Sequence, residues 1–344
     1  MTMPQNDLNN CKFVKSILML LVILGHSVSF WTGGWFSGGG SPAYESDFLS
    51  VLAEWLGSFH IYAFALTSGY IYYYAKIERG GYEQFGSFII NKTKRLIVPY
   101  IFVAAVWVMP LSNVFNHYSI HEILKSYVLG LSPAQLWFLL MIFDVFVIAW
   151  VLTNIMTRNW IGILISVVLY GVGIIGGIAI PNVIRVLTAC QYFIFFFVGF
   201  KLRQNSFDKL KRIPWYLYIM LYSLLFCLMK YFSNIGYIKY LMEFLTHMTG
   251  AIMAFVVLQK LASSKNQSVK SINDYITKHI SKYSMSMYLF HQQIIYFTIY
   301  WLNGKVNPYI HAGINFVVAL VGSFLISSIL MTWKVTRFLI GEKP

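Results

Sequence analysis

Long apolar runs alternate with short polar interruptions along the whole chain, and the length of the runs identifies the solvent. Ten runs, at 12–31, 55–75, 96–112, 135–154, 160–180, 185–200, 214–233, 237–258, 284–302 and 310–332, are predominantly apolar. Crossing about 30 Å of hydrocarbon takes about 20 helical residues. Lipid offers no partner to a free backbone amide, so a helix is the only element that such a run can form there. The runs at 96–112 and 185–200 are short for a full crossing. The pattern predicts an all-α protein, a polytopic membrane helix bundle of about ten transmembrane helices. No repeat, low-complexity tail or appended soluble domain interrupts the pattern, so residues 1–344 read as a single membrane domain. The first run lacks a small-residue cleavage site and many runs follow it, which marks a retained helix rather than a signal peptide.

Composition supports the bilayer as partner. Of the 344 residues 58% are hydrophobic and only 11% charged, against about 25% charged in a soluble domain; the mean hydropathy is +0.63. The net charge of +14 would point to nucleic acid in a soluble protein. Here 21 of the 26 Lys and Arg fall in segments 1–15, 76–95, 155–159, 201–213, 259–283 and 333–344, which share one side of the membrane if the N-terminus is cytoplasmic. That asymmetry follows the positive-inside rule, places both termini in the cytoplasm and leaves no reason to invoke nucleic acid. Lys125, Arg185, Lys230, Lys239 and Lys305 lie at or near the outer side. The Gly-rich loop 32–54 carries acids without bases and reads as an extracytoplasmic turn. The polar stretch 259–283 reads as a cytoplasmic loop with a short surface helix. Cys11, Cys190 and Cys227 lie in or beside apolar runs, and their spacing suggests neither a disulfide framework nor a metal site.

Candidate chemistry comes from polar residues that a lipid-spanning helix does not need. The stretch CKFVKSILMLLVILGHSVSFW, 11–31, carries Lys12, Lys15 and His26. Lys15 and His26 are eleven residues apart, about three helical turns, so they share a face and lie about 16 Å apart along the axis. Ionisable residues inside a membrane are functional candidates by default. His60, in FHIYAFALTSGY, falls at a depth similar to His26 on the second helix. Histidine has the acid–base range to take a proton from a hydroxyl near neutral pH. Its orienting partner is left open among Glu54, Asp144 and the Glu243/His247 pair, one turn apart on a single helix. Lys92, Lys94 and Arg95 form a basic cluster able to hold phosphates or simply to anchor the third helix. A polar path with a basic mouth also suits a transporter or flippase of a lipid-linked glycan precursor, although the internal repeat common in transporters is missing.

Five stretches in order resemble the acyltransferase-3 family of bacterial integral membrane O-acyltransferases, and within it the fucose 4-O-acetylase-like branch of surface polysaccharide O-acetyltransferases. They are KSILMLLVILGHS (15–27), FHIYAFALTSGY (59–70), KTKRLIVPY (92–100), QLWFLLMIF (135–143) and SKYSMSMYLFHQQI (281–294). The resemblance implies transfer of an acyl group, acetyl or succinyl, from cytoplasmic acyl-CoA to a sugar hydroxyl of a surface glycan or its lipid-linked precursor. It implies the bacterial cytoplasmic membrane as location, acetyl-CoA as co-substrate with no bound cofactor, and glycan-synthesis machinery as a partner. The family's catalytic histidine falls on His26, with His60 as a second catalytic candidate. Its first-helix arginine falls on Lys15, and its two arginines before the third helix fall on Lys92 and Arg95, giving an acyl-CoA-binding set. Lysine in place of arginine keeps the charge and loses the bidentate fork. Where the family often has an acid, three residues before Lys15, this chain has Lys12. His26 would serve as general base or carry the acyl group itself; Ser68, Tyr70 and His60 are unplaced oxyanion donors. Gln135 and Trp137 would lie at the outer mouth near a sugar, and His291 would line the donor path.

Overall fold

In the computed structural model, residues 5–33, 35–116, 119–131, 133–205 and 207–342 are described. The extreme ends, residues 1–4 and 343–344, to which the charge pattern gives a side of the membrane, lie outside them. The helices are α1 (Gln5–Val28), α2 (Asp47–Gly57), α3 (His60–Tyr73), α4 (Phe85–Lys92), α5 (Val98–Val103), α6 (Met109–Asn116), α7 (Ile120–Val128), α8 (Trp137–Met156) and α9 (Asn159–Ala179). They continue with α10 (Val186–Gln204), α11 (Asp208–Arg212), α12 (Trp215–Tyr231), α13 (Gly236–Ala262), α14 (Gln267–Tyr275), α15 (Ser284–Leu302), α16 (Pro308–Leu330) and α17 (Lys334–Leu339). The described residues contain no strand.

Eight described helices are long and apolar enough to cross a membrane. Two run well beyond the sequence estimate. The expected run 96–112 is part of a 31-residue helix, Phe85–Phe115, and 185–200 is part of Val183–Gln204. Each continues through basic residues that ended the apolar run in sequence but do not end a helix. The remaining two of the ten expected spans are also helical. α12 has 17 residues and is short for a crossing. α15 has 19 residues, of which 12 are buried, including the polar Ser286, His291, Gln292 and Gln293. A helix enclosed by protein need not be apolar for lipid's sake, which is why α15 reads as the least membrane-like of the long helices. α9 is the opposite case: Trp160, Ile175 and Ile178 are 83%, 70% and 78% exposed, a surface that only lipid covers without cost.

The chain divides into two compact units, each built from three separate segments. The first comprises residues up to Val22, Trp55–Gly81 and Phe195–Lys282. Its packing depends on two glycines. A Cβ on Gly69 of α3 would overlap the backbone carbonyl of Phe196 in α10, and one on Gly199 of α10 would overlap that of Leu66 in α3. Small residues are how membrane helices come into backbone contact where no hydrophobic effect drives association. One end of this crossing carries an ion cluster. Arg203 donates through Nε and Nη2 to both oxygens of Glu78, at 2.7 and 2.9 Å, and through Nη1 to Asp7 and the Tyr70 hydroxyl, both at 3.1 Å. The expected surface helix within 259–283 is α14, capped by the Asn266 side chain.

The second unit comprises Ile23–Glu54, Tyr82–Ile194 and the residues from Tyr283 onward. α15 and α16 pack along their lengths. Asn315 of α16, wholly buried, accepts from the Thr298 hydroxyl at 2.6 Å and donates to the Ser27 carbonyl at 3.0 Å, tying the last turn of α1 to this pair. Pro99 and Pro110 interrupt the long helix Phe85–Phe115. Proline has no amide hydrogen and crowds the carbonyl four residues back. The chain answers with wide, π-type turns at Thr93–Ile97, before Pro99, and at Ala104–Val108, before Pro110.

Candidate active site

His26 sits in the last turn of α1, half-buried, with the fully buried His291 of α15 beside it. His26 Nδ1 lies 2.7 Å from His291 Nε2, and the two rings are within 11° of parallel. His291 Nδ1 lies 2.8 Å from the Tyr288 carbonyl oxygen. These two contacts decide the tautomers. A carbonyl only accepts, so His291 Nδ1 carries the hydrogen. In a neutral His291 the other nitrogen, Nε2, then holds the lone pair and accepts from His26 Nδ1–H. A neutral His26 is left with its basic lone pair on Nε2. The polar partner that the structure gives His26 Nδ1 is His291.

Around the pair, the Trp35 ring lies 5.5 Å from that of His26 and meets Tyr296 edge-on at 5.2 Å. Phe36 stacks on Tyr296 at 4.1 Å, and Gln292 donates to the Tyr296 hydroxyl. Two residues after His291 on α15, Gln293 forms a reciprocal amide pair with Gln135 at 2.6 and 2.9 Å. Gln135 also donates to the Leu289 carbonyl at 3.0 Å, and the Tyr288 hydroxyl donates to the Gln135 carbonyl. Gln135 was expected at an outer mouth facing a sugar. It is 2% exposed and its amide is consumed in bracing α15, so its geometry is that of a positioning residue. Trp137 is half-buried, edge-on to Tyr192 at 5.8 Å.

Lys92 and Arg95 belong to the same unit. The Lys92 ammonium lies 3.2 Å from the centre of the Phe146 ring, with Tyr82 and Phe88 at 5.4 and 5.6 Å, an aromatic cage of cation–π type. Arg95 is exposed, on the wide turn before Pro99. A Cβ on Gly341 would come within 2.7 Å of the Arg95 carbonyl and the Pro99 ring, so the segment after α17 lies against this turn. It brings Glu342, whose carboxyl is raised by burial and held back by the Arg95 charge.

The other expected site residues lie in the first unit. Lys15 is half-buried on α1. His60 is 5% exposed, and its Nδ1 donates to the Leu56 carbonyl at the break between α2 and α3, where the helical ladder is interrupted. Its bond is that of a kink staple. His247 stacks on Tyr62 at 4.2 Å, and no hydrogen bond links it to Glu243 among the described residues. Tyr70, one of the unplaced oxyanion donors, accepts from Arg203.

Trp35, Gln293 and Asn315 were not singled out from sequence. Nothing local distinguishes them from interfacial or core residues; only their partners do.

A chain of many apolar helices, with the half-buried His26 held against the buried His291, is a multi-pass membrane protein. A family model described as an acyltransferase domain matches residues 9–332, and the chain belongs to this acyltransferase-3 family. No curated protein and no solved structure matches it.

Proposed function

We propose that this membrane acyltransferase moves an acetyl group from acyl-CoA at the cytoplasmic face to a hydroxyl of a cell-surface polysaccharide or its lipid-linked precursor, as in the fucose 4-O-acetylase-like branch. The proposed setting is the bacterial cytoplasmic membrane, with both termini inside. The observation that carries the reading is the tautomer of His26. With Nδ1–H committed to His291, Nε2 is the nitrogen that can take the proton of an acceptor hydroxyl. The hydroxyl oxygen then attacks the thioester carbonyl, forming the C–O bond of a tetrahedral intermediate. Collapse breaks the C–S bond, and the imidazolium returns its proton to the departing thiolate. While His26 is charged, His291 Nε2 accepts the hydrogen bond of its Nδ1–H and stabilises the cation.

Arg95 and the caged Lys92 are the proposed contacts for the donor's phosphates. On α1, Lys15 precedes His26 by eleven residues, about 16 Å along the axis, which matches a donor that approaches along that helix. Acetyl-CoA is a co-substrate on this reading, and no resident cofactor is invoked.

The test is the alkali-labile ester content of the host's surface glycan in wild type, a deletion strain, and the deletion complemented with His26→Ala at equal membrane levels. Ester lost in the deletion and not restored by the variant supports the reading, and the mass of the released acid identifies the acyl group. Ester unchanged in all three strains overturns it and favours transport of a glycan precursor instead.

A further inference from the structure

The loop that leaves α1 touches His26 through Trp35 and then walls a separate groove through Tyr44 and Glu45. The opposite wall is the turn before α16, with Lys305, Asn307 and Tyr309. The groove is a shallow one, open along much of its length, with a volume of about 510 Å³, within the roughly 300–1,000 Å³ of small-molecule sites. Its two walls are joined by one side chain. Asn303 accepts from the Ala43 amide at 2.9 Å and donates to the carbonyls of Gly39 and Ser41, at 3.2 and 3.0 Å. The loop is also tied back to the turn that follows α1, because the Trp31 indole donates to the Tyr44 carbonyl at 3.1 Å. Trp31 in turn stands edge-on to the buried His311 of α16, at 5.4 Å.

The lining has the chemistry of a polyhydroxylated ligand's site. Tyr44 and Tyr309 are 54% and 56% exposed, so their rings remain available as flat apolar platforms with polar tips. The Glu45 carboxylate makes no hydrogen bond or ion pair among the described residues, which leaves acceptor capacity for hydroxyl donors. Asn307 spends its Oδ1 on the Tyr309 amide at 2.9 Å and keeps both amide hydrogens to donate. Lys305 supplies one positive charge against the one negative charge of Glu45, so the groove selects for neither sign. Aromatic rings at a membrane interface usually serve as anchors. An anchor needs neither a concavity nor an acid and an amide between the rings.

We propose that this groove binds a neutral saccharide of one or two sugar units, the part of the acceptor glycan remote from the reacting hydroxyl. Tyr44 and Tyr309 stack on the sugar rings, and Glu45 and Asn307 bond their hydroxyls. The acceptor role rests on the acyltransferase reading above; the binding itself does not. The experiment is saturation-transfer NMR on the full-length protein in nanodiscs, with methyl glucoside, methyl galactoside and N-acetylglucosamine as probes and no acyl-CoA present. Transfer to at least one sugar, weakened about tenfold in affinity by Tyr309→Ala, weakened also by Glu45→Gln and retained in His26→Ala, supports the groove. Both groove variants change exposed side chains, and a thermal melt equal to wild type confirms that they fold. No transfer to any of the three sugars, or transfer equal in wild type and both variants, overturns it. Because the readout is binding, a failure of the ester experiment and a failure of the groove are separate results.

Discussion

His291 takes its orientation from its own helix, through Nδ1 and the Tyr288 carbonyl at 2.8 Å, and so sets the tautomer of His26 across a 2.7 Å contact. The dependence runs one way, from the fully buried ring to the half-buried one. Replacing His26 by Ala removes the base itself and lowers the transfer rate by about 10²–10⁴-fold. Replacing His291 by Ala frees the His26 ring to turn, a misplacement that lowers the rate by about 10²-fold. His291→Gln, whose Oε1 can accept from His26 Nδ1–H, restores part of the loss. Initial rates with labelled acetyl-CoA measure all three; a His291→Ala enzyme as fast as wild type would defeat the tautomer argument.

The pH profile carries a sign. Protonating His26 Nε2 removes the lone pair that accepts the hydroxyl proton, so the rate falls once the medium is acid enough to protonate it and levels off at higher pH. A rate constant from mildly acidic to mildly basic pH rules out this role for His26.

The amide pair Gln135–Gln293 is an all-or-none element. Gln135→Leu leaves the Gln293 amide, 1% exposed, without its partner and destabilises the protein by about 1–3 kcal/mol. The double variant with Gln293→Leu recovers much of that, because neither polar group is left orphaned. Thermal unfolding in detergent of the two single variants and the double closes the cycle, and additive losses would show that the pair is not coupled.

Gly199→Ala and Gly69→Ala each push a methyl group into the carbonyl of the facing helix. Overpacking of this kind costs about 1–3 kcal/mol, and more where backbone is the obstacle. Gly86→Ala, where an added Cβ meets nothing within 4 Å, serves as the control. Melting temperatures that drop for the first two and hold for the third confirm the α3–α10 crossing.

Arg203 serves two carboxylates and a phenol at once. Lysine keeps the charge and cannot reproduce the bidentate bond to Glu78, so Arg203→Lys lowers stability by about 1–3 kcal/mol. Arg203→Met loses more, since Asp7 and Glu78, with side chains 29% and 24% exposed, then face each other uncompensated. Detergent melts of the two variants rank them; equal stability of Lys and Met variants would mean that the cluster's geometry contributes nothing.

The helical class, the approximate spans and the candidacy of His26 follow from local pattern alone. Lipid imposes a run of about 20 apolar residues on any helix it surrounds, and it makes an ionisable residue inside such a run expensive enough to stand out. Where lipid is not the neighbour, this legibility fails. α15 hides its role because protein encloses it, and Phe85–Phe115 looks short because its basic first turns are still helix. Partnership is the part that no local pattern carries. His26 and His291 are 265 residues apart in the chain, and Gln135 and Gln293 are 158 apart. His26, His291 and Gln135 stand out in sequence as polar residues in membrane runs, with Gln135 read as facing a sugar and His291 as lining a donor path; Gln293 does not stand out. A hydrogen bond is a matter of a few tenths of an ångström, and only the packing of α1, α8 and α15 brings these side chains to that distance. The same packing decides which nitrogen of His26 is left basic, which is the property that the chemistry uses.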